Sequence, residues 1–136
     1  MKEVTTYLTF NGDCGPAMKF YQQAVGGDLV LLPFSESPMD VPKEAKDRVL
    51  HAKLAKNGRT ILMASDTMPN DPVHQGANFS ISIDCESVEE IDKLFAALGA
   101  NGKVTMPLQE TFWAPRFGML TDQFGVNWMF NLEKKS

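Results

Sequence analysis

The chain has no excess of positive charge. Its 13 Lys and Arg stand against 17 Asp and Glu, a net charge of −4. A nucleic-acid partner would require a basic stripe to neutralise phosphates, and the Lys134-Lys135 pair is too short to be one. Cysteine is scarce, with Cys14 and Cys85 the 2 present, and they form no C-x-x-C pair. Met1-Lys2-Glu3-Val4 leads into a strand-like pattern without the apolar stretch of a signal peptide. The expectation is therefore a cytoplasmic protein whose cysteines are free thiols. No run approaches the roughly 18 consecutive apolar residues of a membrane helix, so no membrane partner is expected. The sequence also lacks G-x-G-x-x-G, G-x-x-x-x-G-K-[ST] and G-x-S-x-G. Their absence removes the glycine-cradled nucleotide sites and the serine nucleophile elbow.

What is present suffices for a globular fold. A chain of 136 residues is one domain, or two small modules sharing a core. At this length roughly 70% of the unfolded surface is buried on folding. The 9 Phe, 2 Trp and 2 Tyr supply apolar area that a disordered chain would not have.

Val4 to Phe10 alternates and reads as a strand, broken by Asn11-Gly12-Asp13. Pro16 suits the first turn of a helix whose apolar positions are Ala17, Phe20, Tyr21 and Ala24, with Gly26-Gly27 as the stop. Asp28 to Phe34 is a second strand, 35–46 a loop, and Arg48 to Lys56 a third strand. Asn57-Gly58 is a strong hairpin signal, leading into a fourth strand from Arg59 to Ser65.

After a Pro-containing linker the pattern restarts. Asn78 to Cys85 alternates as a strand, with Phe79, Ile81 and Ile83 on one side and Ser80, Ser82 and Asp84 on the other. Ser87 to Glu90 forms a capping box before the helical stripe Ile91, Leu94, Phe95 and Leu98. Short strands follow at Lys103 to Pro107, Phe117 to Thr121 and Val126 to Leu132. The chain thus reads as α+β, two strand–helix–strand–strand–strand modules at 1–66 and 77–136 joined by 67–76, in a single domain 1–136 with a shared buried surface. Laying the copies together puts Tyr7-Leu8-Thr9-Phe10 on Phe79-Ser80-Ile81-Ser82 and Asn57-Gly58 on Phe124-Gly125.

Ala17-Met18-Lys19-Phe20-Tyr21 with Gly26-Gly27, and Ile61-Leu62-Met63-Ala64-Ser65-Asp66, carry a family resemblance. The stretch Gln109-Glu110-Thr111-Phe112-Trp113-Ala114-Pro115-Arg116-Phe117-Gly118, running on through Asp122-Gln123-Phe124-Gly125-Val126-Asn127-Trp128, is more specific. Over essentially its whole length the chain resembles the PhnB-like branch of the vicinal oxygen chelate superfamily, the group of glyoxalases, bleomycin-resistance proteins and dioxygenases. The resemblance implies two βαβββ modules with largely antiparallel sheets, curled into a cup, with helices outside, and a homodimer. It also implies a divalent metal held by one residue from the first and one from the last strand of each half.

Carried over residue by residue, those positions fall on Thr6 and Met63, or Leu62 in a slipped register, and on Asn78 and Met129. None is His, Glu or Asp, and a thioether suits a hard divalent ion poorly. No metal and no cofactor are therefore expected. Some relatives are labelled ubiquinone-pathway methyltransferases, but this chain has no glycine-rich strand-to-helix turn of a doubly wound cofactor domain.

The candidate ligand contacts are Glu110, Trp113, Arg116 and Phe117, with Asn78, Met63, Met129 and Asp66 lining the cup. Phe112, Trp113 and Phe117 offer flat apolar surface, and Arg116 an anchor for an anionic group with Glu110 as an orienting acceptor or base. The weightier reading makes Trp113 and Phe117 core or dimer-interface aromatics with a structural Glu110–Arg116 pair, and Asp66 a turn cap. His51 reads as a structural or surface residue and His74 as a solvated loop residue. Cys14 and Cys85 read as inert, since neither has a histidine partner in sequence. Three functions remain open: metal-free binding of a small organic molecule, a lyase or dioxygenase with a displaced metal on Glu110, Asp66 or His51, and an interaction subunit.

Overall fold

The computed structural model describes residues 1–134, so Lys135 and the end of the second repeat lie outside the described residues. Two compact units divide the chain, Met1–His74 and Gln75–Ser136.

The first unit runs β1 (Thr6–Phe10), α1 (Cys14–Val25), β2 (Asp28–Pro33), β3 (Val49–Lys56) and β4 (Arg59–Asp66). Its sheet has the order β1-β4-β3-β2. β1 pairs parallel with β4, and the two other pairings are antiparallel. The segment read as a loop contains two short 3₁₀ turns, Phe34–Glu36 and Lys43–Ala45. Asn57 and Gly58 both have positive φ, 53° and 78°, as a primed hairpin turn requires. Leu8, Phe10, Ala52, Leu54, Leu62 and Ala64 alternate onto one face and are buried there with Ala17, Met18 and Tyr21 of α1. Gly27, at φ +97°, ends the helix connection where a Cβ would collide with the Ala55 carbonyl.

The second unit repeats the plan with β5 (Ile81–Cys85), α2 (Val88–Gly99), β6 (Lys103–Gln109), β7 (Arg116–Thr121) and β8 (Asn127–Leu132). The order is β5-β8-β7-β6, with β5 parallel to β8 and the other pairings antiparallel. The capping box is formed: Glu90 N donates to Ser87 Oγ at 3.1 Å, and Glu90 Oε1 accepts from Glu86 N at 2.9 Å. Ile91 and Leu98 of α2 are fully buried, and Phe95 meets Phe130 edge-on at 5.1 Å.

The element order and fold class follow the sequence reading, with sheets that are mixed and mainly antiparallel. Several boundaries move. Val4 is exposed and β1 begins at Thr6. β6 continues past Pro107 because it is an edge strand, where a missing N–H breaks no ladder.

The internal correspondence also shifts. Thr6 pairs with Leu62 and Ile81 with Trp128, so Thr6–Phe10 matches Ile81–Cys85. The expected overlay of Tyr7 on Phe79 is off by an odd number of residues, and an odd slip exchanges the two faces of a strand.

Candidate functional site

Each sheet is covered by its helix on one face, and what the other face carries decides what the fold can bind. Residues directly opposite on paired strands project to the same side. In the first unit the face away from α1 holds Tyr7, Met63 and Lys53 in one row, and Thr9, Ser65, His51 and Leu32 in the next. The Tyr7 and His51 rings are 6.1 Å apart. In the second unit the face away from α2 holds Ser82, Met129, Met119 and Met106 in one row, and Asp84, Asn131 and Phe117 in the next.

In neither unit are the two expected metal positions paired across the strands. Met63 faces Tyr7, whereas Thr6 lies on the helix side with the buried Leu62. Met129 faces Ser82, whereas Asn78 precedes β5 as an exposed residue outside any strand. The hydroxyl of Thr6, the amide of Asn78 and two thioethers make a poor donor set for a hard divalent cation. Among the described residues no group of three or more His, Cys, Asp or Glu could hold a metal ion. The metal implied by the resemblance does not fit these residues. His51 and Asp66 lie on opposite faces of the first sheet, so they do not combine into a displaced site. His74 is an exposed residue between the strands.

Asp66 lies in the interior, away from any cup mouth. It is 6% exposed. Its Oδ1 accepts from Gly12 N at 2.8 Å and Cys14 N at 3.0 Å, and its Oδ2 accepts from Val49 N at 2.9 Å. The local cap residue Asp13 makes no side-chain bond to α1, so Asp66 supplies the cap from across the sheet.

Cys14, at the start of α1, is buried, and burial with the neighbouring Asp66 charge pushes its thiol up to about 12. Burial, then Glu90 and Asp84, pushes Cys85 up to about 11. Neither is a nucleophile at neutral pH. Iodoacetamide at pH 8 is expected to label neither in the folded protein and both in urea. The folded state disfavours each thiolate, so the thiol contribution to stability is complete below the ordinary value of 9.0. It is lost as pH rises from there towards about 11 and about 12. Urea midpoints measured between pH 8 and 11 are expected to fall across that window.

Arg116 also departs from its expected role. It sits opposite Leu132 on the helix side of the sheet, where its Nη1 meets Asp92 Oδ1 of α2 at 2.9 Å. Its partner is therefore Asp92, not Glu110, and the exposed pair contributes at most about 1 kcal/mol. Glu110 is an exposed residue between β6 and the loop that follows.

That loop is closed on itself. Thr111 N donates to Ala114 O at 2.9 Å, and Ala114 N to Thr111 Oγ1 at 3.1 Å. The clamp puts Phe112 and Trp113 at an exposed tip, 87% and 48% accessible. The two rings meet edge-on at 4.8 Å, and Trp113 lies edge-on to Phe117 at 5.4 Å. Phe117 is only 7% exposed although it faces away from α2.

Trp113, Phe117 and, one row along, Met129 therefore share the far side of the second unit. Within the second unit, Arg116 is turned to α2 and Asn78 precedes β5, so neither lies beside them. Asp84 and Asn131, not among the expected candidates, lie on the same face. The alternation that placed Asp84 opposite Ile81 and Ile83 carried the signal for the first. For Asn131 the signal was its place between the buried Phe130 and Leu132. The face combines aromatic surface, soft thioethers and hydrogen-bonding groups. That suits holding an organic molecule, and no nucleophile–base pair is among them.

A sequence profile described as the glyoxalase/bleomycin resistance protein/dioxygenase superfamily matches residues 4–130. Protein YjdN of Escherichia coli (strain K12) is 36% identical over 97% of this chain and 96% of its own. The crystal structure of protein PA1353 from Pseudomonas aeruginosa superposes with a TM-score of 0.90 at 44% identity, covering 99% of this chain and 100% of that one. The PhnB protein of Bacillus cereus superposes with a TM-score of 0.80 at 29% identity, covering 96% and 99%. With both βαβββ units in place and this likeness over nearly the full length, the chain belongs to the glyoxalase/bleomycin resistance protein/dioxygenase superfamily, in its PhnB-like branch.

Proposed function

We propose that the protein binds a small organic molecule, without a metal, on the face of the second sheet that turns away from α2. The observation that carries this reading is Phe117. It is a strand aromatic on the side opposite the helix, yet 7% exposed, with Trp113 edge-on to its ring. Met119 and Met129, directly opposite each other in the next row, add a deformable apolar floor. The hydroxyl, amide and thioethers of Thr6, Asn78, Met63 and Met129, the positions the resemblance assigns to the metal, support the metal-free part. The proposal includes a homodimer, as expected from the family resemblance.

The test is thermal unfolding with a panel of small aromatic compounds, cationic, neutral and anionic. Binding to the folded state alone raises Tm in a saturable way. At least one compound is expected to do so in the parent protein and to lose the effect in Trp113→Ala, an exposed position whose change leaves the sheet intact. EDTA is expected to leave Tm unchanged. A fall in EDTA that Zn²⁺ or Mn²⁺ restores would replace this reading with the displaced-metal enzyme.

A further inference from the structure

One polar atom on this face has no partner. Asn131 Oδ1 is buried and accepts no hydrogen bond among the described residues. Buried acceptors are almost always paired, so an orphan calls for a reason. The amide cannot relieve itself by turning over. Its Nδ2 donates to Asp84 Oδ1 at 3.4 Å, and a flipped amide would set oxygen against carboxylate.

The neighbours of this atom define a chemistry. Asp84 lies directly opposite Asn131 on the parallel strand β5, and Phe117 directly opposite on β7. Asp84 is exposed, and Trp113 is edge-on to Phe117. An open carboxylate, an orphan carbonyl oxygen and aromatic rings therefore occupy adjoining positions. Gln109, opposite Phe117 on β6, adds an exposed amide, and the one charged group in the row is the Asp84 carboxylate. The cation nearest in sequence, Arg116, is on the other face with Asp92. The Lys134 ammonium is held on the Phe112 carbonyl at 3.1 Å.

We propose that this face takes a molecule presenting a protonated amine on an aromatic or aliphatic body. The ammonium donates to Asp84 and to Asn131 Oδ1, and the body lies against Phe117 and Trp113, whose faces also attract the cation. Asn131 Oδ1 is buried in the free protein, so a donor reaches it only with a local rearrangement of its surroundings. The inference rests on the small-molecule reading above and names the ligand class.

The probes are 2-phenylethylamine, 2-phenylethanol and phenylacetate, which share a body and differ in charge. Tryptophan emission and calorimetry report binding. The amine is expected to bind about three- to tenfold more tightly than phenylacetate. Asp84→Asn is expected to remove that preference and to weaken 2-phenylethanol far less than the amine. Asn131→Leu is expected to weaken the amine yet raise Tm, because it removes an unpaired buried oxygen. Asp84 is exposed, so its variant carries the test even if Asn131→Leu folds poorly.

Equal binding of the three probes, or amine binding indifferent to Asp84→Asn, would overturn the amine assignment and leave the small-molecule reading standing. Failure of all three probes to bind at millimolar concentration would overturn both.

Discussion

Asp66→Ala is expected to lower the stability of the first unit by about 3–6 kcal/mol, read as a shift of the urea midpoint. The carboxylate accepts from the backbone N–H groups of Gly12, Cys14 and Val49. Truncation leaves these donors facing a void, each costing about 1–3 kcal/mol. A domain has about 5–15 kcal/mol in total, so the loss is large enough to populate unfolded chains. Asp66→Asn is expected to fall between. It keeps an oxygen for Gly12 and Cys14 but turns an amide nitrogen towards the Val49 N–H. The folded fraction of either variant should bind ligand normally, since Asp66 points to the helix side of the sheet. A stable Asp66→Ala protein that no longer binds ligand would place this residue in the site after all.

Asp122→Ala is expected to cost the second unit about 3–5 kcal/mol. Its carboxylate organises the turn between β7 and β8, accepting from Phe124 N at 2.8 Å and Val126 N at 3.1 Å through Oδ1. Its Oδ2 accepts from the indole Nε1 of Trp128 at 2.8 Å. Both Asp122 and Trp128 are buried, so the indole donor loses a partner inside the protein. Asp122→Asn should spare the turn bonds and still cost stability, because the amide N–H would face the indole N–H. Denaturation followed by Trp emission checks this. A midpoint unchanged in Asp122→Ala would contradict the hydrogen-bond account of this turn.

The elements were legible where local chemistry dictates them. Asn57-Gly58 marks a primed hairpin, Ser87 with Glu90 marks a helix start, and the alternation of Phe130 and Leu132 marks a half-buried strand. The site was less legible, for identifiable reasons. Period-two alternation tells which residues share a side but not where a strand begins. Extending β5 upstream to Asn78 produced an odd slip, which laid Tyr7 on Phe79 where the pairings match it to Ser82. Arg116 and Phe117 were both aimed at a ligand because the strand was started at Phe117. With Arg116 inside β7, neighbouring residues must face opposite ways, and Arg116 goes to α2. Asp66 was legible as a cap, but not what it caps, because Gly12 and Cys14 lie 54 and 52 residues away, beyond any local pattern.

The central claim is that a fold shared with metalloenzymes here serves a metal-free binding role. Native mass spectrometry of untagged protein purified without chelator tests it most directly, since one spectrum reports oligomer, metal and adduct. The account predicts a dimer at the apo mass, or one carrying a small organic adduct that is displaced by 2-phenylethylamine. A dimer carrying about one metal ion per subunit, lost in EDTA together with folded stability, would contradict it.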